Sequence, residues 1–115
     1  ILAMSRQKSE LYFHTTVENL NCAQAVLKGF QNELNIDDQE IEEYRAWGGG
    51  RAEGGMCGAL FAAERLLRQL GKESAIEDFK FNAGGTLCSE IKEKNFTCAE
   101  YVRIADDLVQ KSLLK

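Results

Sequence analysis

The sequence predicts an all-α fold, a single-domain multi-helix bundle with a Gly-rich loop. Three observations carry that expectation. Apolar residues recur at helical spacing in several segments, capping patterns stand directly ahead of them, and no segment alternates long enough to demand a strand. The chain has 115 residues, 44% of them hydrophobic and 28% charged, and no proline. A domain of this size buries about two thirds of the surface that its unfolded chain exposes. With no repeat, low-complexity tract or linker, residues 1–115 are expected to form one domain.

The elements follow in chain order. Residues 5–15 read as a short helix in which His14, the one histidine, is a partly exposed helix residue rather than a ligand. Cys22, Ala25, Val26, Gly29 and Phe30 then mark the inner face of a helix that ends near residues 32–35. Asn21 with Gln24 has the pattern of a capping box ahead of it, whereas an earlier start would leave Cys22 in the helix interior. Asp37 is the next N-cap, with Glu40 three residues later and Ile36 facing Ile41 as a hydrophobic staple, so a helix is expected over about 38–47. Its acidic run reads as a solvated face and Trp47 as a core anchor.

The strongest pattern is 56–70. Met56, Ala59, Leu60, Ala63, Leu66, Leu67 and Leu70 share one face, Arg65 and Arg68 fall on the solvated side, and Gly71 is the stop. Shorter helices are expected over 74–81 and 87–93. Thr97 with Glu100 forms another capping box, and Cys98, Tyr101, Val102, Ala105, Leu108, Val109 and Leu113 make an apolar stripe over 97–113.

Charge narrows the function. A net charge of −4 and an isoelectric point near 5.0, with no basic run or basic face, argue against nucleic acid and anionic lipid as partners. No apolar stretch approaches the ~20 residues of a membrane span, and the first residues lack a signal peptide's layout. A cytoplasmic, not membrane-spanning protein is expected.

Four cysteines, Cys22, Cys57, Cys88 and Cys98, have no CxxC or CxxCH spacing. What they share is position: each falls in or near the first turn of an expected helix, where unpaired N–H groups and the positive dipole end favour a thiolate. A thiolate there is suited to nucleophilic or metal-ligating work. Any one cysteine also reads as a small core residue, but four at helix starts are poorly explained by packing. Two structural disulfides are disfavoured in a reducing cytoplasm.

Residues 48–58 hold six of the ten glycines around Cys57. Positive φ and close backbone approach would let this loop wrap a site and aim N–H groups at a sulfur or a cluster bound to it, with Gly55 and Gly58 the glycines nearest Cys57. The offsets fit neither GxGxxG nor a P-loop. Arg51 is either solvated or a positive charge steadying an anionic site.

"NCAQAVLKGF", the Gly-rich approach to "CGALFA", then "LCSEI" and "FTCAEYV" before a last amphipathic helix resemble the four-cysteine redox-active family named C_GCAxxG_C_C. The resemblance spans about residues 12–109 and lies in the order and contexts of the four cysteines, above all Cys57-Gly58-Ala59. One departure is Ala62, where the family pattern has glycine. The resemblance implies redox activity and, because many members are encoded near transporters, a transporter-associated partner. The module is also similar to part of the split-Soret cytochromes, but without CxxCH no covalent haem is expected.

The expected function is therefore redox activity at four convergent cysteines beside the glycine loop. In the first form, Cys22, Cys57, Cys88 and Cys98 ligate a 2Fe-2S or 4Fe-4S iron–sulfur cluster for electron transfer to a redox partner protein. In the second, they perform thiol–disulfide exchange or soft-metal trafficking with no resident cluster. The third is a helical interaction protein with structural cysteines. A homo-oligomer is compatible with each. No His or Asp catalytic partner can be named, so no hydrolytic or transfer enzyme reaction is assigned.

Overall fold

Asn21 has extended backbone at φ −80° and ψ −179°, and the helix it starts is the centre of the molecule. The structure, a computed structural model, describes residues 9–12, 20–47, 55–87 and 98–113. Six α-helices lie in them: α1 (Cys22–Gly29), α2 (Gln31–Leu34), α3 (Asp38–Glu43), α4 (Gly58–Leu70), α5 (Ile76–Ala83) and α6 (Cys98–Leu113). Ser9–Leu11 and Tyr44–Trp47 are 3-10 turns, and Met56 and Leu87 form an isolated antiparallel bridge. The all-α expectation holds.

The capping box of α1 is present in full. The Asn21 side chain accepts from the Gln24 N–H at 2.8 Å, and the Asn21 N–H donates to Gln24 Oε1 at 3.0 Å. Cys22 is therefore the first helical residue rather than an interior one. At the far end the helix pauses at Phe30 before α2 resumes, and Asn35 closes α2 in the left-handed region at φ 54°. Asp37 caps α3 by accepting from the Gln39 N–H at 2.9 Å. The chain then tightens into the 3-10 turn, so the helix expected over 38–47 is two joined pieces.

The α4 helix starts at Gly58, two residues after the expected Met56, because residues 56 and 57 pair with another segment. Its stop is as expected: Gly71 is left-handed at φ 67°, and the Lys72 N–H reaches the Leu67 carbonyl at 2.9 Å. Ala59, Leu60, Ala62, Ala63, Leu66 and Leu67 are buried, while Met56 and Leu70 pack at the core's edge. Arg68 is exposed, but Arg65 is not merely solvated. It is half-buried and forms a two-pronged ion pair with Glu40 on α3, so part of the acidic run faces a partner rather than water. The helix expected over 74–81 occupies Ile76–Ala83, and Ser74 Oγ accepts from the Ile76 N–H at 3.2 Å at its start.

A single hydrophobic core joins these helices, with Leu27, Phe30, Leu60, Leu66, Phe79, Val102 and Val109 fully buried. Helices α1, α4 and α6 pack pairwise on one another. Their directions follow from contacts at their ends. The Asn21 amide reaches the Tyr44 and Arg45 carbonyls, and the Tyr44 ring lies 5.7 Å from that of Phe61 in the first turn of α4. At the other end Gln69 Nε2 donates to the Leu34 carbonyl at 2.8 Å. Helix α1 with its continuation α2 thus runs in the same direction as α4, and α3 returns beside them.

The same reasoning orients α6. Lys72, Ser74 and Asp78 share a groove with Leu108, Lys111 and Ser112, whereas the groove beside Asn82 reaches from Leu108 and Lys111 back to Glu100, Arg103 and Ile104. Helix α5 therefore descends antiparallel to α6, and the ends of α4 and α6 lie together. Their starts lie together as well. The 97–113 expectation is met from Cys98 onward; Thr97, the 87–93 helix beyond Leu87, most of 5–15, His14 and Arg51 lie outside the described residues, as does the side chain of Trp47.

Candidate functional site

Three helices running in one direction carry their first residues to one end of the bundle. Cys22 is the first residue of α1, Cys57 is the N-cap of α4, and Cys98 is the first residue of α6. Cys22 and Cys57 are buried residues, at 9% and 4% exposed. Helix α5 brings the chain back to the same end, where the Cys57 N–H donates to the Thr86 carbonyl at 2.8 Å and Met56 bridges Leu87, the residue before Cys88. Cys88 itself, the side chain of Cys98 and the glycines of residues 48–54 lie outside the described residues.

The local reason for the Cys57 turn is the backbone of Gly55, which stands at φ +77° in the left-handed region. A Cβ there would meet nothing within 4 Å among the described residues, so the glycine serves chain direction rather than close approach at that point. Gly58 opens α4 and is buried. Cys57 has φ −54° and ψ 130°, its side chain makes no capping hydrogen bond, and its carbonyl accepts from the Phe61 N–H at 2.9 Å.

Electrostatics distinguish these two starts. Four of the six helices carry acid in the first turn: Glu33 in α2, Asp38 and Glu40 in α3, Glu77 and Asp78 in α5, Glu100 in α6. The first turns of α1 and α4 carry none. Acidic side chains normally answer the positive end of a helix. At α1 and α4 the anion-forming group at that place is a thiol.

Tyr44 borders this end. Burial is the first cause that pushes its hydroxyl above the ordinary value, with the Glu40 carboxylate second. It stays protonated at neutral pH and supplies an aromatic wall against Phe61 rather than a base.

Comparison with known protein families, with curated proteins and with solved structures finds no match to this chain. No described helix is long and apolar enough to cross a membrane. Two residues escape the sequence patterns: Tyr44, whose carbonyl and ring touch α1's cap and α4 respectively at the cysteine end, and, away from that end, Asp106, fully buried on α6. Asp106 falls four residues after Val102 and three before Val109, so its inward register was available in the spacing.

Proposed function

We propose that this chain is a cytoplasmic redox-active protein in which Cys22, Cys57, Cys88 and Cys98 form one thiolate site that carries electrons through a Cys-ligated iron–sulfur cluster. The reading is supported above all by the common direction of α1, α4 and α6, each of which begins at a cysteine, and by the pairing of Cys57 with the residues just before Cys88. The donor chemistry fits, since thiolates are the ligands that such clusters take and N–H groups near the sulfurs tune their potential. A 2Fe-2S or 4Fe-4S group supplies one-electron chemistry when bound. The chain's own residues would supply the sulfurs, direct helix N–H groups at them and exclude water, with Gly55 and Gly58 shaping the approach to Cys57. The electron acceptor or donor would be a partner protein, and the resemblance to C_GCAxxG_C_C points to one associated with a transporter.

The acid-free starts of α1 and α4 favour a second reading equally, because a thiolate there also suits disulfide exchange or soft-metal transfer. Iron and sulfide analysis of anaerobically purified protein separates them. Stoichiometric iron with labile sulfide supports the cluster. Reversible disulfides without metal support exchange, and four inert thiols leave a helical interaction protein.

A further inference from the structure

Resting on the reading of Cys22 and Cys57 as members of one site, we infer that Asn21 is the positioning residue that ties their two helix starts together. Its carboxamide works at both ends. The oxygen accepts from the Gln24 N–H at 2.8 Å and so caps α1; the nitrogen donates to the Arg45 carbonyl at 2.9 Å and the Tyr44 carbonyl at 3.3 Å. The Tyr44 ring in turn packs on Phe61, one turn into α4 from Cys57. An unbroken run of contacts thus joins Cys22, Asn21, Tyr44, Phe61 and Cys57.

Capping alone does not call for asparagine. Aspartate and serine cap about as well, but aspartate has no donor and serine carries its donor and acceptor on one oxygen, a bond short of where the Asn21 nitrogen stands, whereas the amide accepts and donates from two separate atoms. Nor is this amide needed to fasten α3 to α1, because Gln24 Nε2 already donates to the Ile41 carbonyl at 3.0 Å. What the Asn21 nitrogen adds is the hold on the 3-10 turn at the cysteine end.

The test uses the full chain under anaerobic conditions with Cd2+ as a thiolate probe, read by its sulfur-to-metal ultraviolet band, and far-ultraviolet circular dichroism as the fold check. Asn21→Asp keeps a cap and has no donor; Asn21→Ser keeps a cap, and its hydroxyl falls a bond short of the Tyr44 and Arg45 carbonyls. Both are expected to bind Cd2+ about tenfold more weakly or worse, with helicity retained. The aspartate sets a carboxylate oxygen against the Tyr44 and Arg45 carbonyls, so it is weakening in the uncharged Asn21→Ser as well that identifies the lost donor. Unchanged or tighter binding by Asn21→Asp overturns the inference, as does loss of the helical signal in both variants. If Asn21→Asp alone loses its helices, Asn21→Ser decides by the same criterion. A missing band in the unsubstituted protein instead overturns the shared-site reading, and this inference with it.

Discussion

The Ser9 backbone N–H donates to the Asp106 carboxylate at 2.8 Å across 97 positions of sequence, with both residues fully buried. This bond fastens the first 3-10 turn to α6, and the Ser9 hydroxyl approaches the Val26 carbonyl of α1 at 3.5 Å. Replacing Asp106 by leucine leaves a buried donor without this acceptor. Asp106→Leu is therefore expected to lose about 1–3 kcal/mol in urea unfolding, and Asp106→Asn, which keeps a carbonyl oxygen, clearly less. Equal losses would mean that the charge rather than the acceptor matters.

Gly29 fits the same contact from the other side. A Cβ on it would stand 2.0 Å from Ser9 Oγ and 2.9 Å from Ser9 Cα. In an open helix Gly→Ala stabilises by about 1 kcal/mol. Here the sign should reverse, with Gly29→Ala costing about 1–3 kcal/mol through overpacking. Thermal unfolding reads it, and Ser9→Gly in the Gly29→Ala background should recover part of the loss.

The Glu40–Arg65 pair is half-buried, with side-chain exposures of 27% and 22%, and is bidentate, Arg65 Nε and Nη2 donating from one guanidinium edge to the two Glu40 oxygens. The hydrogen bond that Arg65 donates to Glu40 is the first cause that raises Arg65 above its ordinary value. A double-mutant cycle with Glu40→Gln and Arg65→Gln should give a coupling of about 1 kcal/mol that shrinks in high salt. A coupling of zero would reduce the pair to a surface contact.

Tyr44 sets an alkaline limit. Its folded-state hydroxyl holds its proton above the ordinary value of 10.0, chiefly through burial, so the native state binds that proton more tightly than the unfolded chain does. The stabilisation is complete below pH 10.0 and is lost as pH rises from there through the raised folded value. Tyr44→Phe should lose less stability than the parent above pH 10.0, measured by chemical denaturation across the alkaline range.

How much of this was legible in the sequence depended on the range of the interaction. The Asn21–Gln24 box, the Gly71 stop and the faces of α4 and α6 are decided within a turn or two, and residue spacing displays them. The shared direction of α1, α4 and α6 was not legible, because it is fixed by long-range contacts such as Gln69 to Leu34 and Tyr44 to Phe61. The late start of α4 has the same cause: Met56 and Cys57 are held by Leu87 and Thr86, and a bridge between two loops has no periodicity to betray it. Asp106 is invisible to a hydropathy stripe, which skips a carboxylate even when its register points inward. The cysteines at helix starts are visible locally and their convergence is an expectation from the sequence, but the parallel course of α1, α4 and α6 that brings three of those starts to one end is set by contacts the spacing does not display.

Cys57 allows chemistry and stability to be separated in one variant. It occupies the N-cap of α4 with ψ 130°, the extended backbone that capping residues use, yet its side chain makes no capping bond. Serine is nearly isosteric and among the best N-caps, its hydroxyl accepting from an N–H two or three residues on, at Ala59 or Leu60. Cys57→Ser should therefore leave helical content intact and raise stability by about 0.5–1 kcal/mol. The same change removes a thiolate ligand, so iron and sulfide incorporation, or the reversible two-thiol response, should be abolished. Stability and redox titration would then move in opposite directions. If Cys57→Ser both unfolds more easily and keeps its redox response, the thiol is a packing residue and the site lies elsewhere.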